Sequence, residues 1–180
     1  MKPWIDIYKD RLNNQYYDYF KKQYGPFLDC LAQYSSKVNH EIGCGMGNST
    51  RFLNEINTRK YPQYYCYDLC PEMLALAMKN IQSNHVFYKN IDIKTIDFFD
   101  FPPGLVHSHG VLEHFSDEEI NKIIINNNTD VQVHYVPSDK WITPSRGDER
   151  LLSKEYWQDK FEPDEVIEFN EGKDLILIWK

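Results

Sequence analysis

The stretch Val38-Asn39-His40-Glu41-Ile42-Gly43-Cys44-Gly45-Met46-Gly47-Asn48-Ser49-Thr50 constrains this chain more than any other. It reads as a short strand running into a glycine turn that opens a helix. Glycines at 43, 45 and 47 remove three side chains from one small volume, and only bare backbone lets a ligand lie directly on such a turn. Asn48, Ser49 and Thr50 are N-cap candidates, so the first free N–H groups of the next helix would point at whatever sits there. Three readings compete. One is a tight turn with no ligand. A second is a dinucleotide site, but G-x-G-x-x-G is broken by Asn48. In the third, Glu41 just before the turn would repel a pyrophosphate and suit a cationic or amine-bearing ligand.

An acid followed by G-x-G-x-G at the end of a first strand resembles the first motif of the class I S-adenosylmethionine-dependent methyltransferases. The resemblance implies that the cofactor lies on Glu41, Gly43, Cys44, Gly45 and Gly47. Asn39 and His40, ahead of Glu41, depart from the aliphatic pattern of a buried parallel strand, so shallower burial is expected here.

The chain has 180 residues, which fits one domain with a workable core. Hydrophobic residues make up 42% and aromatics 15%, enough to fold rather than stay disordered. A net charge of −7 without a basic run disfavours nucleic acid as a partner. No apolar run reaches transmembrane length, and Met1-Lys2-Pro3-Trp4 holds no signal-peptide core. Cys30, Cys44, Cys66 and Cys70 form no C-x-x-C pair, so free thiols in a cytoplasmic protein are expected, with no metal site.

Ile5, Tyr8, Leu12, Tyr16 or Tyr17, Phe20 and Tyr24 recur at helical spacing, which predicts one amphipathic helix over 5–24, ended by Gly25-Pro26. Such a stripe packs as core or serves as a lid. A second helix follows over 27–35, and residues 1–36 make a helical cap on a 37–180 core. The glycine turn leads into a helix over 48–58. Tyr64 to Asp68 is the second strand, and Asp68 lies about 20 residues beyond the turn, the offset at which Rossmann-like folds place a carboxylate on a ribose. A carboxylate offers acceptors to both the 2′ and 3′ hydroxyls; the plain alternative is a helix cap. Pro71 opens the next helix, with Met73, Leu74, Leu76 and Ala77 inward. Val86 to Ile93 is a third strand carrying Asp92 near its end. Leu105 to His109 is the fourth. Phe101-Pro102-Pro103-Gly104 precedes that strand, so it is no match for the Pro-Pro-aromatic motif of amino-methylating enzymes, which follows it.

Leu112-Glu113-His114, followed by an acidic helix start at Ser116 to Glu119, is a second match to the family. Ser116 and Glu119 form a capping box ahead of a helix over 117–126. Asp130 to Val136 is a fifth strand. The polar loop 137–150, with Pro144, Arg146, Gly147, Asp148, Glu149 and Arg150, is assigned to an acceptor pocket. A short helix over 153–160 precedes two strands, 166–170 and 175–179, joined by the turn Glu171-Gly172-Lys173-Asp174.

The resemblance implies an α/β fold: a three-layer Rossmann-like sandwich with a seven-stranded, mostly parallel sheet and an antiparallel last strand, under an N-terminal helical cap. It implies that Leu69 and Met73 touch the adenosine, that Asp92 and Ile93 meet the adenine, and that His109 and Gly110 line the cofactor. His114 then faces the reacting centre, and His114 and His109 are the candidate catalytic groups. Tyr8, Arg11, Tyr16 and Tyr17 are the candidate contacts to the methionine carboxylate or the substrate. The expected activity is in-line methyl transfer to a small molecule. The alternatives are a silent methyltransferase-like module that binds a protein partner and a nicotinamide-dependent oxidoreductase.

Overall fold

A computed structural model describes residues 4–95, 102–125, 129–144 and 148–180. Phe101, Asn126, Arg146, Gly147 and Met1 to Pro3, on which expectations fell, lie outside the described residues. Seven strands form one sheet: β1 Val38–Ile42, β2 Gln63–Asp68, β3 Val86–Asn90, β4 Leu105–His109, β5 Val131–Pro137, β6 Glu165–Phe169 and β7 Asp174–Trp179. Their spatial order is β3-β2-β1-β4-β5-β7-β6. β1 to β5 are mutually parallel, and β7 runs antiparallel to both β5 and β6. The chain therefore builds outward from β1 to β3, then returns to β4 on the other side of β1. Strand order reverses between β1 and β4, and the C-terminal ends at such a switch are where open α/β sheets bind ligands.

Helices cover both faces. α1 Trp4–Tyr8, α2 Asn14–Gln23 and α3 Gly25–Tyr34 precede the sheet; α4 Asn48–Ile56, α5 Pro71–Asn80, α6 Asp117–Ile125 and α7 Lys154–Phe161 connect its strands. One apolar cluster joins Phe27 and Leu31 of α3, Leu53 of α4 and Ala77 of α5 to Ile176 and Ile178 of β7. The other joins Ile120 of α6 and Trp157 of α7 to Leu175 and Leu177 of the same strand. The two-residue alternation of β7 thus separates the outer layers, as strand geometry requires. None of the described helices is long and apolar enough to cross a membrane.

Several expectations change. The first helix is two, because Asn13 takes an extended backbone and its side chain accepts the Tyr16 N–H at 2.8 Å, which starts α2 afresh. Gly25-Pro26 follows the C-cap of α2 at Tyr24, as expected, and also begins α3, where proline's missing N–H costs nothing. β1 is buried along its whole length. Its polar residues are matched instead of solvated: Asn39 accepts the Ser36 N–H at 3.1 Å, and His40 lies 3.0 Å from the Tyr67 hydroxyl and 3.1 Å from the Pro102 carbonyl. The N-cap of α4 is Gly47, while Asn48 to Thr50 form its first turn. β3 stops at Asn90, and Ile93–Thr95 is a 3-10 turn. The β6–β7 link also contains a 3-10 turn, Asn170–Gly172, with left-handed backbone at Asn170 and Glu171. The capping box is present: Ser116 N–H donates to Glu119 at 3.0 Å, and Glu119 N–H donates to the Ser116 hydroxyl at 3.3 Å.

Candidate functional site

The turn after β1 carries Gly43, Gly45 and Gly47 at φ of 59°, 55° and 69°, left-handed values that side chains resist. The three do not all clear room for a ligand. A Cβ on Gly43 would stand 2.6 Å from Val111, and one on Gly47 would stand 2.5 Å from Ile81, so these two let protein neighbours close in. Only Gly45 borders open space, with Met73 Cε 3.6 Å from the Cβ position. Its N–H donates to Asp68 Oδ2 at 2.8 Å, and the Cys70 N–H donates to Oδ1 at 2.8 Å. The acid at the end of β2 is thereby locked to the glycine turn. Burial raises the Asp68 pKa, while these two N–H groups oppose the rise.

Glu41 serves the turn from below. Buried at the end of β1, it accepts the Thr50 N–H of α4 at 3.1 Å, and burial pushes its pKa up to about 7. It braces the first turn of α4 and also lines the cavity.

A cavity of about 860 Å³ opens over the strand ends. That volume falls in the range of small-molecule sites, roughly 300–1,000 Å³. Its walls include Glu41, Gly43, Cys44, Gly45, Asp68, Leu69, Met73, Asp92, Ile93, His109 and Gly110. Gly47 is not among the lining residues, since its free face is packed against Ile81. Tyr8, Arg11 and Tyr16 line the mouth, with the guanidinium 5.2 Å from both rings. Tyr17 points elsewhere: its hydroxyl donates to Glu55 at 2.9 Å and Arg51 lies 3.8 Å over its ring.

His109 and His114 both line the cavity but differ. His109 is stacked on Tyr135 at 4.4 Å with the edge of Tyr24 at 4.2 Å, and burial pushes its pKa down to about 3. A ring so buried resists protonation, which favours a lining role over that of a general base. Its buried Nε2 has no hydrogen-bond partner among the described residues. His114 is half-buried, with Trp4 edge-on at 5.6 Å and Asp148 Oδ2 3.3 Å from its Nδ1.

Sequence reasoning did not assign Trp4, Tyr24 or the pairing of Glu113 with Glu149 to the site; Asp148 entered only as part of the 137–150 loop given to the acceptor pocket, and it lines the cavity. Glu113 stands in the Leu112-Glu113-His114 run, yet it is 2% exposed, and burial pushes its carboxyl up to about 8. No metal was expected. The fold nonetheless brings one donor atom from each of Glu113, His114 and Glu149 within 4.8 Å of the others.

Residues 40–127 match a family described as a methyltransferase domain. No curated protein matches the sequence. Among solved structures, the PH0226 protein of Pyrococcus horikoshii is 12% identical, aligns over 100% of this chain and 99% of its own, and has a TM-score of 0.72. The N-methyltransferase NodS of Bradyrhizobium japonicum is 15% identical over 89% of this chain and 95% of its own, with a TM-score of 0.67. An S-adenosylmethionine-dependent methyltransferase of Clostridium acetobutylicum is 10% identical over 92% and 90%, with a TM-score of 0.61. The chain spans 47% and 61% of two longer neighbours. At these identities the likeness is one of fold.

Proposed function

We propose that this chain, with a methyltransferase-domain match over residues 40–127 and the fold of solved S-adenosylmethionine-dependent methyltransferases, methylates a small-molecule acceptor by in-line transfer, with the donor laid along Gly43 to Gly45 and its sugar on Asp68. The observation that carries the assignment of the donor site is the Gly45–Asp68 hydrogen bond on the wall of an open cavity. A Rossmann-like nucleoside site needs a bare turn and an acid at the next strand end, side by side. Each Asp68 oxygen accepts one backbone N–H and keeps a further lone pair for a ribose hydroxyl. Asp92 and Ile93, at the end of β3, would meet the adenine, and Leu69 and Met73 would pack on it.

When bound, S-adenosylmethionine supplies a methyl group already activated by its sulfonium. The protein's task is then alignment and exclusion of water. Trp4, Tyr8, Tyr16 and Tyr24 make an aromatic wall over the strand ends. Arg11, held between two tyrosines, is placed to receive a carboxylate. His114 is the group suited to orient the acceptor or take its proton, because it lines the cavity with the Asp148 carboxylate 3.3 Å from Nδ1.

A silent binding module would have side chains filling the space between the glycine turn and Asp68, and the cavity argues against it. A thermal-shift screen of S-adenosylmethionine, S-adenosylhomocysteine and nicotinamide dinucleotides tests the proposal. A ligand that binds only the native state raises the melting temperature. The two sulfur nucleosides are expected to raise it and the dinucleotides to leave it unchanged. A shift with a dinucleotide alone would support the oxidoreductase instead.

A further inference from the structure

We propose that Glu113, His114 and Glu149 bind one divalent cation of the manganese, iron, cobalt or zinc kind, on the wall of the cavity. One donor atom from each lies within 4.8 Å of the other two, a separation a single ion can bridge. A cluster of acids alone would be a solvated surface. This one has a second property. Glu113 is 2% exposed, and its Oε2 is buried with no hydrogen-bond partner among the described residues. His114 Nε2 is buried without one among the described residues as well, and Nδ1 has only Asp148 Oδ2 at 3.3 Å. Orphaned polar atoms of this kind are rare in folded proteins because leaving them dry and unmatched is costly. A cation satisfies a carboxylate and an imidazole together.

Asp148 adds a further carboxylate beside His114. Arg150 is committed elsewhere: its guanidinium donates to the Phe115 carbonyl at 2.7 Å and to Asp117 at 2.6 Å. Those bonds, with the Arg150 N–H donating to the Glu113 carbonyl at 2.9 Å, pin the loop that bears Glu149 against the 3-10 turn Leu112–His114. The donors are thus held in place before any ion arrives, which is how a protein sets coordination geometry.

The donor set selects the class of ion. Calcium takes six to eight oxygens, magnesium keeps several waters and prefers oxygen, and copper(I) wants sulfur. Two carboxylates and one imidazole, with coordination positions left open, suit the metals named above. His114 and Asp148 line the cavity, so the open positions would face its contents. Resting on the methyltransferase reading, the ion's role is to hold an oxygen of the acceptor, which makes hydroxyl-bearing molecules the favoured class.

The test uses the full chain, stripped with a chelator and titrated with manganese(II) chloride while free manganese is followed by electron paramagnetic resonance. One ion per chain is expected, with a dissociation constant in the micromolar range. Glu149→Gln keeps the loop's shape and should weaken binding at least tenfold, and His114→Asn should do the same. No saturable binding by the unmodified chain, or equal affinity in all three proteins, overturns the proposal. S-adenosylmethionine is titrated into the same preparations. Cofactor binding without manganese binding ends the cation site and leaves the methyltransferase reading intact. Manganese binding without cofactor binding keeps the site and removes its role in acceptor choice.

Discussion

Gly45 and Gly47 look alike in the sequence and do different work in the fold. Both have left-handed backbone, but Gly47 also lets Ile81 approach within a distance no Cβ tolerates. Gly47→Ala should cost about 2–4 kcal/mol of stability, from backbone strain and overpacking together. In urea titration, Gly47→Ala should cost less in an Ile81→Ala background than in the parent; no loss in the single variant would remove the packing role. Gly45→Ala should cost only about 1–2 kcal/mol, the strain of the left-handed backbone, while weakening cofactor binding more than Gly47→Ala does. His114→Ala should lower kcat at least tenfold, by the scale of a lost positioning group, with the cofactor dissociation constant within threefold. The reverse pattern in steady-state kinetics would make it a structural histidine. The spacing of the glycines and of Asp68 was legible because local turn chemistry demands those residue types. The orphaned Glu113 was not, since its burial depends on Arg150 fastening a distant loop across it.

Strand β1 is the element where composition misled, and β4 and β5 carry the same chemistry. His40, His107 and His134 would suit an exposed strand, yet all three are fully buried at the sheet's centre. Burial holds their pKa values down to about 4, 3 and 3. The sign is fixed by which state binds protons. Below an ordinary histidine value of about 6.5, the unfolded chain takes up protons that the native sheet refuses, so stability falls with falling pH. The contribution of each group to this loss begins near pH 6.5 and continues down to its folded value. His107 has no partner on either ring nitrogen among the described residues. Replacing it with an apolar residue of similar volume removes an unmatched polar group, which is close to neutral or stabilising at pH 7. Relative to the parent, His107→Leu should gain stability progressively between pH 6.5 and pH 4.5 in denaturant titrations. A constant difference across that range would mean that His107 titrates normally in the fold. Hydrophobic periodicity found α5, α6 and β7, whose apolar residues face the core at the expected spacing. It ran α1 and α2 together because the Asn13 cap that separates them is a matter of one side chain's hydrogen bond.

At the scale of the whole molecule, the sheet order and both helical layers follow from short parallel connections around β1, so a strand list in chain order goes far toward the fold. Depth was harder to see. The cavity is walled by segments far apart in the chain, from Trp4 to Asp148, and no local pattern announces that they meet. What unites them is a nucleoside site on the Gly45–Asp68 bond, and calorimetric titration of S-adenosylmethionine into the parent chain and Asp68→Ala tests it most directly. The account predicts a single site in the parent and at least about tenfold weaker binding in the variant, the loss of hydrogen bonds to a charged group. Equal dissociation constants in two well-folded proteins would contradict it.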